Sequence, residues 1–153
     1  MKLQIIAVGK LKKGDISSLF AQYSTRIKRW KLTVKELSES QAQTVDIRKK
    51  EEAQKILDCI KDDHIIVALD ERGEHLTSRE MANFIQEQEN ASASYMSFVI
   101  GGPDGLDEDI RKQAKSIWAL GRATWPHQLV RALLAEQIYR SQTIIEGHPY
   151  HRD

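Results

Sequence analysis

A single cysteine, Cys59, cannot close a disulfide within the chain of 153 residues, so nothing here requires an oxidising compartment. Cys59 falls in the amphipathic stretch AQKILDCIKDD, where it reads as a core residue rather than a nucleophile. Apolar runs are short, and none approaches the roughly 18 residues of a membrane-spanning helix. The opening MKLQIIAVGKLKK lacks the extended apolar centre and the small-residue cleavage site of a secretory leader. Together these absences predict a cytoplasmic protein without membrane contact. There are only three prolines, and no Ser/Pro-rich linker, repeat or low-complexity segment interrupts the chain. Residues 1–153 are therefore expected to form one domain.

Two phosphate-binding signatures are missing as well. No Lys-Ser/Thr pair follows a glycine loop, and no G-x-G-x-x-G joins a first strand to its helix. The glycine-rich stretch that does exist, FVIGGPDG at residues 98–105, is unlike either signature. Pro103 removes one N–H donor from any anion-binding nest, and the acids at 104, 107, 108 and 109 disfavour a phosphate. The expected ligand is therefore something flat and uncharged, or cationic, lying close to a backbone that carries no side chains; the alternative is a tight turn that serves only the fold.

Charge is present but unevenly spread. Residues 1–31 carry eight Lys/Arg against one acid, whereas residues 32–119 carry eleven against eighteen. A basic N-terminal third suits a polyanion, but charge alone favours a solvated helix face. Buried-strand patterns at 2–9, 64–70, 95–102 and 116–121, with a half-exposed one at 32–38, alternate with helical patterns at 15–30, 45–60, 77–90, 107–114 and 126–145. Thr77 and Glu80 have the spacing of a capping box. This alternation predicts an α/β fold with a mostly parallel sheet and helices on both faces.

Three strand ends, LDERGE, the glycine loop and ALGRATWPHQ, then converge on one crevice at the carboxyl edge of the sheet, where such folds bind ligands. The last helix carries apolar side chains over about half its circumference, with Gln137 and Arg140 inside that arc. Either a second subunit or a central position within a monomer would cover it. Glu136 and Arg140 are spaced for a structural i,i+4 ion pair. His148 and His151 have H-x-x-H spacing without an acidic or cysteine partner nearby, so no metal site is expected.

The stretches MKLQIIAVGK, LDERGE, FVIGGPDGL, TWPHQLVRALLAEQIYR and GHPYHR together resemble the ribosomal large-subunit methyltransferase H family, a minimal branch of the SPOUT methyltransferases. The resemblance spans the chain. It implies an α/β fold with a C-terminal trefoil knot, a homodimer, and S-adenosylmethionine as methyl donor. It also implies methylation of N3 of a pseudouridine in 23S rRNA within the assembled ribosome. The alternative is a ribosome-associated RNA-binding protein that keeps the fold without catalysis. Carried over by motif, cofactor contacts fall on Leu69, Gly101 and the segment Leu120, Gly121, Arg122, Ala123, Thr124 and Trp125. This chain has LGRAT where relatives often carry LSxMT. Catalytic and RNA contacts fall on His127, Arg131, Tyr150, His151 and Arg152, of which Arg131, Tyr150, His151 and Arg152 are the candidate catalytic residues.

Overall fold

The computed structural model of the protein describes residues 1–152. Its strands are β1 (Lys2–Val8), β2 (Lys31–Leu37), β3 (His64–His75), β4 (Tyr95–Ile100) and β5 (Ser116–Ala119). Helices α1 (Asp15–Ser24), α2 (Val45–Leu57), α3 (Ser78–Asn90), α4 (Glu108–Gln113) and α5 (His127–Ile145) connect or follow them. The sheet runs β2-β1-β4-β3-β5 with every neighbouring pair parallel.

The two-residue period of a strand sorts the core into two layers. Leu3, Ile5 and Ala7 of β1 point with Val67, Leu69, Phe98 and Ile100 toward the face covered by α1, α3 and α5. Ile6 and Val8 point with Ile66, Ala68 and Val99 toward α2 and α4. Strands buried on both sides are apolar at most positions, which is why β1 and β4 read as hydrophobic runs interrupted only by Gln4 and Ser97 beyond the opening Lys2.

Three elements depart from the sequence pattern. Helix α1 stops at Ser24, although apolar spacing continues to Ile27. Thr25 turns its hydroxyl onto the Ala21 carbonyl at 2.8 Å, and the N–H groups of Lys28 and Arg29 donate to Gln142 Oε1 of α5 at 2.8 and 3.0 Å. That distant acceptor replaces the next helical turn and leaves Ile27 and Trp30 buried.

The second departure is β3, expected to end in a polar turn at Asp70. It continues to His75, with Trp118 of β5 paired to both Leu69 and Glu74, so that Asp70–Gly73 bulge outward. A Cβ on Gly73 would lie 2.6 Å from the Ile117 carbonyl oxygen, and only glycine fits that approach.

The third is the glycine loop, which folds on itself. Gly105 N–H donates to the Gly102 carbonyl at 3.0 Å, and a Cβ on Gly101 would sit 2.8 to 3.0 Å from backbone atoms of Gly105 and Leu106. The demand for glycine at 101 therefore comes first from the loop's own closure, not from a ligand.

Candidate functional site

At the carboxyl ends of β3, β4 and β5 lies a cavity of 440 Å³, within the usual range for small-molecule sites. Of the eight residues that motif matching assigned to a cofactor, seven line it: Leu69, Gly101, Leu120, Gly121, Ala123, Thr124 and Trp125. Arg122 is exposed and is not among the lining residues.

Its walls are apolar on several sides, with Leu69, Ile100, Leu106, Trp118 and Val130. Trp125 donates its ring N–H to the Leu120 carbonyl at 2.7 Å, which fixes the indole at the rim with 42% of the residue exposed.

The carboxylates of the cavity differ in how they are compensated. Asp104 receives Arg48 Nε at 2.7 Å, and this hydrogen bond from the guanidinium holds its carboxyl below the usual carboxylate range. Asp70 receives Arg111 at 3.3 Å and Arg72 at 3.1 Å. Glu71 accepts only the Thr124 hydroxyl, at 2.8 Å, and has no cation within ion-pair distance among the described residues. The acids around the glycine loop are thus partly engaged, since Asp107 also caps α4 by accepting from Asp109 N–H. Glu71 is the uncompensated charge at the cavity.

Arg48 also donates to the Ala42 and Gln43 carbonyls, at 3.0 and 3.3 Å, tying the β2–α2 connection to the glycine loop. No sequence signal marked Arg48, because its partner Asp104 lies 56 positions away.

The candidate catalytic residues divide into separate places. His127, the first residue of α5, lines the cavity. Arg131, one turn further on, does not. It is 1% exposed, pairs with Glu36 at 2.8 Å, and donates Nη2 to the Gly9 and Val8 carbonyls at 2.6 and 3.3 Å. Its Nε has no partner, and burial pulls its guanidinium below the usual arginine range against the opposing effect of Glu36. Arg131 closes off the carboxyl end of β1 from inside the molecule.

The tail lies elsewhere again. Tyr150 donates its hydroxyl to Glu136 Oε1 at 3.0 Å and sets its ring against Tyr139, with centroids 4.8 Å apart. The Arg140 guanidinium lies 4.9 Å from the Tyr150 ring centroid and meets His151 Nδ1 at 3.2 Å. Arg140 also pairs with Glu136, its Nε at 2.9 Å from Oε1, as its spacing predicts. Burial, with the phenol's hydrogen bonds to Tyr23 and Glu136, pushes the Tyr150 phenol far above its ordinary value, so it stays protonated as a donor. Arg152 is exposed. Glu136 and Arg140 are 9 and 13 residues beyond His127 along one helix, roughly 14 to 20 Å at the helical rise. Within one chain, then, tail and cavity are apart. Among the described residues no group of three His, Cys, Asp or Glu gathers that could hold a metal, and no helix is long and apolar enough to cross a membrane.

A family model described as predicted SPOUT methyltransferase matches residues 1–151. The chain belongs to the SPOUT methyltransferase family. Within that family it is 44% identical to a protein of Allorhizobium ampelinum named ribosomal RNA large subunit methyltransferase H, over 99% of both chains. A protein of the same name from Rhodospirillum centenum is 43% identical, again over 99% of both. The fold has counterparts among solved structures. A probable methyltransferase from Bordetella pertussis superposes with a TM-score of 0.59 at 12% identity, over 92% of this chain and 95% of that one. A probable methylase family protein from Haemophilus influenzae gives 0.55 at 13%, over 99% and 70%. The resemblance read from the motifs is therefore that of a SPOUT protein of the large-subunit methyltransferase H type.

Proposed function

We propose that this SPOUT protein is an S-adenosylmethionine-dependent methyltransferase that modifies N3 of a pseudouridine in 23S rRNA of the assembled cytoplasmic ribosome. The observation that carries the proposal is the convergence of Leu69, Gly101 and the 120–125 segment on one cavity, at the edge where parallel sheets hold ligands. The donor set suits that cofactor. The apolar walls accept a purine and a thioether chain, and Glu71 stands uncompensated where a sulfonium would gain from a carboxylate. When bound, the cofactor supplies a methyl group on a sulfonium, and its transfer to a nitrogen anion cancels both charges.

The protein's own residues have to generate and hold that anion. N3 of a uracil-type ring is protonated at neutral pH by roughly two units of pKa, a cost of about 2.7 kcal/mol. His127 is at the cavity and is a candidate acceptor for the proton. His151 and Arg152 would orient the nucleotide and favour its N3 anion, with Tyr150 packing the tail onto α5. Arg131 holds the β1 end against α5 and so acts as a positioning residue rather than one that touches the nucleotide.

The separation of tail and cavity within one chain favours a homodimer in which each tail serves the partner's cavity. Residues 1–153 then act as one domain, and the 120–125 segment tucked beside the glycine loop before α5 returns between α1 and α3 suits a trefoil knot. Mass spectrometry of 23S rRNA after incubating ribosomes with protein and cofactor tests the reading. One added methyl on one pseudouridine is expected. The absence of both methylation and cofactor binding by calorimetry would leave a ribosome-associated RNA-binding protein with the same fold instead.

A further inference from the structure

The eight Lys/Arg of residues 1–31 do not form one patch. Lys2 donates to the Tyr95 hydroxyl at 3.1 Å, Arg26 lies 5.9 Å from the Tyr139 ring centroid, and Arg29 pairs with Glu89 at 2.9 Å. Lys28 and Lys31 belong to the segment leading into the start of β2, at the opposite end of the sheet from the cavity. That leaves Lys10, Lys12 and Lys13 on the β1–α1 loop. All three are exposed, and none has an acidic partner within ion-pair distance among the described residues.

The loop that carries them is held in place. Leu11 N–H donates to Glu36 Oε1 at 2.9 Å and Lys12 N–H to Gln128 Oε1 at 3.2 Å. Gln128 follows His127, which lines the cavity, and His127 Nε2 is 3.7 Å from where a Cβ on Gly9 would lie. The lysines therefore adjoin the cavity through α5. Arg122, on the 120–125 segment, adds an exposed cation whose side chain does not line the cavity. The nearby acids are fewer and partly engaged. Glu36 is bound to Arg131 and Leu11, Asp15 sits in the first turn of α1, and Glu39 is beside Gly9.

We propose that Lys10, Lys12, Lys13 and Arg122 form the rim on which the phosphate backbone of the RNA substrate docks beside the cavity. The proposal rests on the rRNA methyltransferase reading for its partner. Its physical basis is that unpaired cations on an anchored loop neutralise phosphates and release their counterions without first being freed from a partner. A tethered loop also loses little freedom on binding. The contacts carry no sequence information and would set position only.

The test measures anisotropy of a fluorescein-labelled stem-loop RNA titrated with full-length protein at several salt concentrations. Parallel calorimetry with S-adenosylmethionine and methyl transfer to ribosomes complete it. The triple variant Lys10→Glu, Lys12→Glu, Lys13→Glu should weaken RNA binding at least tenfold and flatten its salt dependence by about 0.7 per lost phosphate contact. It should raise KM for ribosomes while cofactor affinity stays unchanged. Arg122→Glu should do the same to a smaller degree, and Lys31→Glu, at the start of β2 and the opposite end of the sheet from the cavity, should do neither. If the triple glutamate variant misfolds by circular dichroism, the triple glutamine variant is expected to show the same direction of change. Unaltered RNA affinity and salt slope would overturn the proposal, as would a loss seen for anionic vesicles and not for RNA. If wild type transfers no methyl yet the lysine variants lose RNA binding, the enzymatic reading fails and the docking rim stands. If the variants methylate ribosomes with a normal KM, the docking rim fails and the enzymatic reading stands.

Discussion

Gly101 meets its own loop before it meets anything else. The nearest atoms to an added Cβ are backbone, at 2.8 to 3.0 Å, and backbone cannot swing aside. Gly101→Val should therefore cost about 1 to 3 kcal/mol in a urea melt, in the range of overpacked sites. It should also lower cofactor affinity at least tenfold by calorimetry, because the glycine loop walls the cavity. Unchanged affinity in a folded variant would remove the cavity from consideration. Arg131 predicts a different signature. Arg131→Met leaves the Gly9 and Val8 carbonyls without their donor and Glu36 without its cation, costing about 2 to 4 kcal/mol in the same melt. Arg131→Lys should recover part of the loss by supplying one charged donor. If Arg131→Met is as stable as wild type but inactive, the arginine acts on substrate rather than through β1. Motif matching found Arg131, but its burial could not be read there. An arginine at that spacing on a helix is compatible with either face, and only the arrival of β1 beside it decides.

Elements whose limits are set locally are legible in the sequence; those set from a distance are not. Thr77 and Glu80 cap α3 as their spacing implies, the Thr77 N–H donating to Glu80 Oε2 at 2.7 Å. Both halves of that box lie within four residues. The end of α1 is hidden because its deciding acceptor, Gln142, is more than a hundred residues away. The extension of β3 is hidden for the same reason, since pairing with β5 and not local composition carries the strand past Asp70. The crevice is legible because three strand ends mark it, whereas the individual cofactor residues come from the resemblance of the motifs. The position of the tail is not, since nothing in PYHRD says where on α5 it packs.

At the start of β3, His64 offers a pH test. Its Nδ1 is 2.9 Å from the Ser97 hydroxyl, its ring stacks on Tyr95 at 4.5 Å, and its Nε2 is buried without a partner. Burial, assisted by Lys61 and opposed by Asp63, lowers its pKa below the ordinary histidine value. The unfolded chain then binds the proton more readily. Stability should be full above about pH 6.5 and fall as pH drops through that value toward the folded one. Urea midpoints measured across that window should show the slope in wild type and lose it in His64→Gln. An equal slope in both would assign it to other groups.

For the whole molecule, the distance between tail and cavity makes a prediction that no single-chain variant can test. A mixed dimer is assembled from one protomer carrying Gly101→Val and another lacking residues 150–153. If each active site joins one chain's cavity to its partner's tail, this dimer keeps one complete site, and methyl transfer should return although each homodimer is inactive. If tail and cavity act within one chain, no complete site exists and activity stays absent. Sedimentation at micromolar concentration should give about twice 17.5 kDa for all three assemblies.

The grip of Arg131 on Gly9 joins positions 122 residues apart. Synthesis proceeds from the amino end, so β1 is made well before α5 and its carboxyl end stays open until α5 has been added. Strand β1 can pair with β2 early, but the helix that covers its end arrives only with α5, a long-range topology that slows folding and leaves apolar surface exposed on the growing chain in that interval.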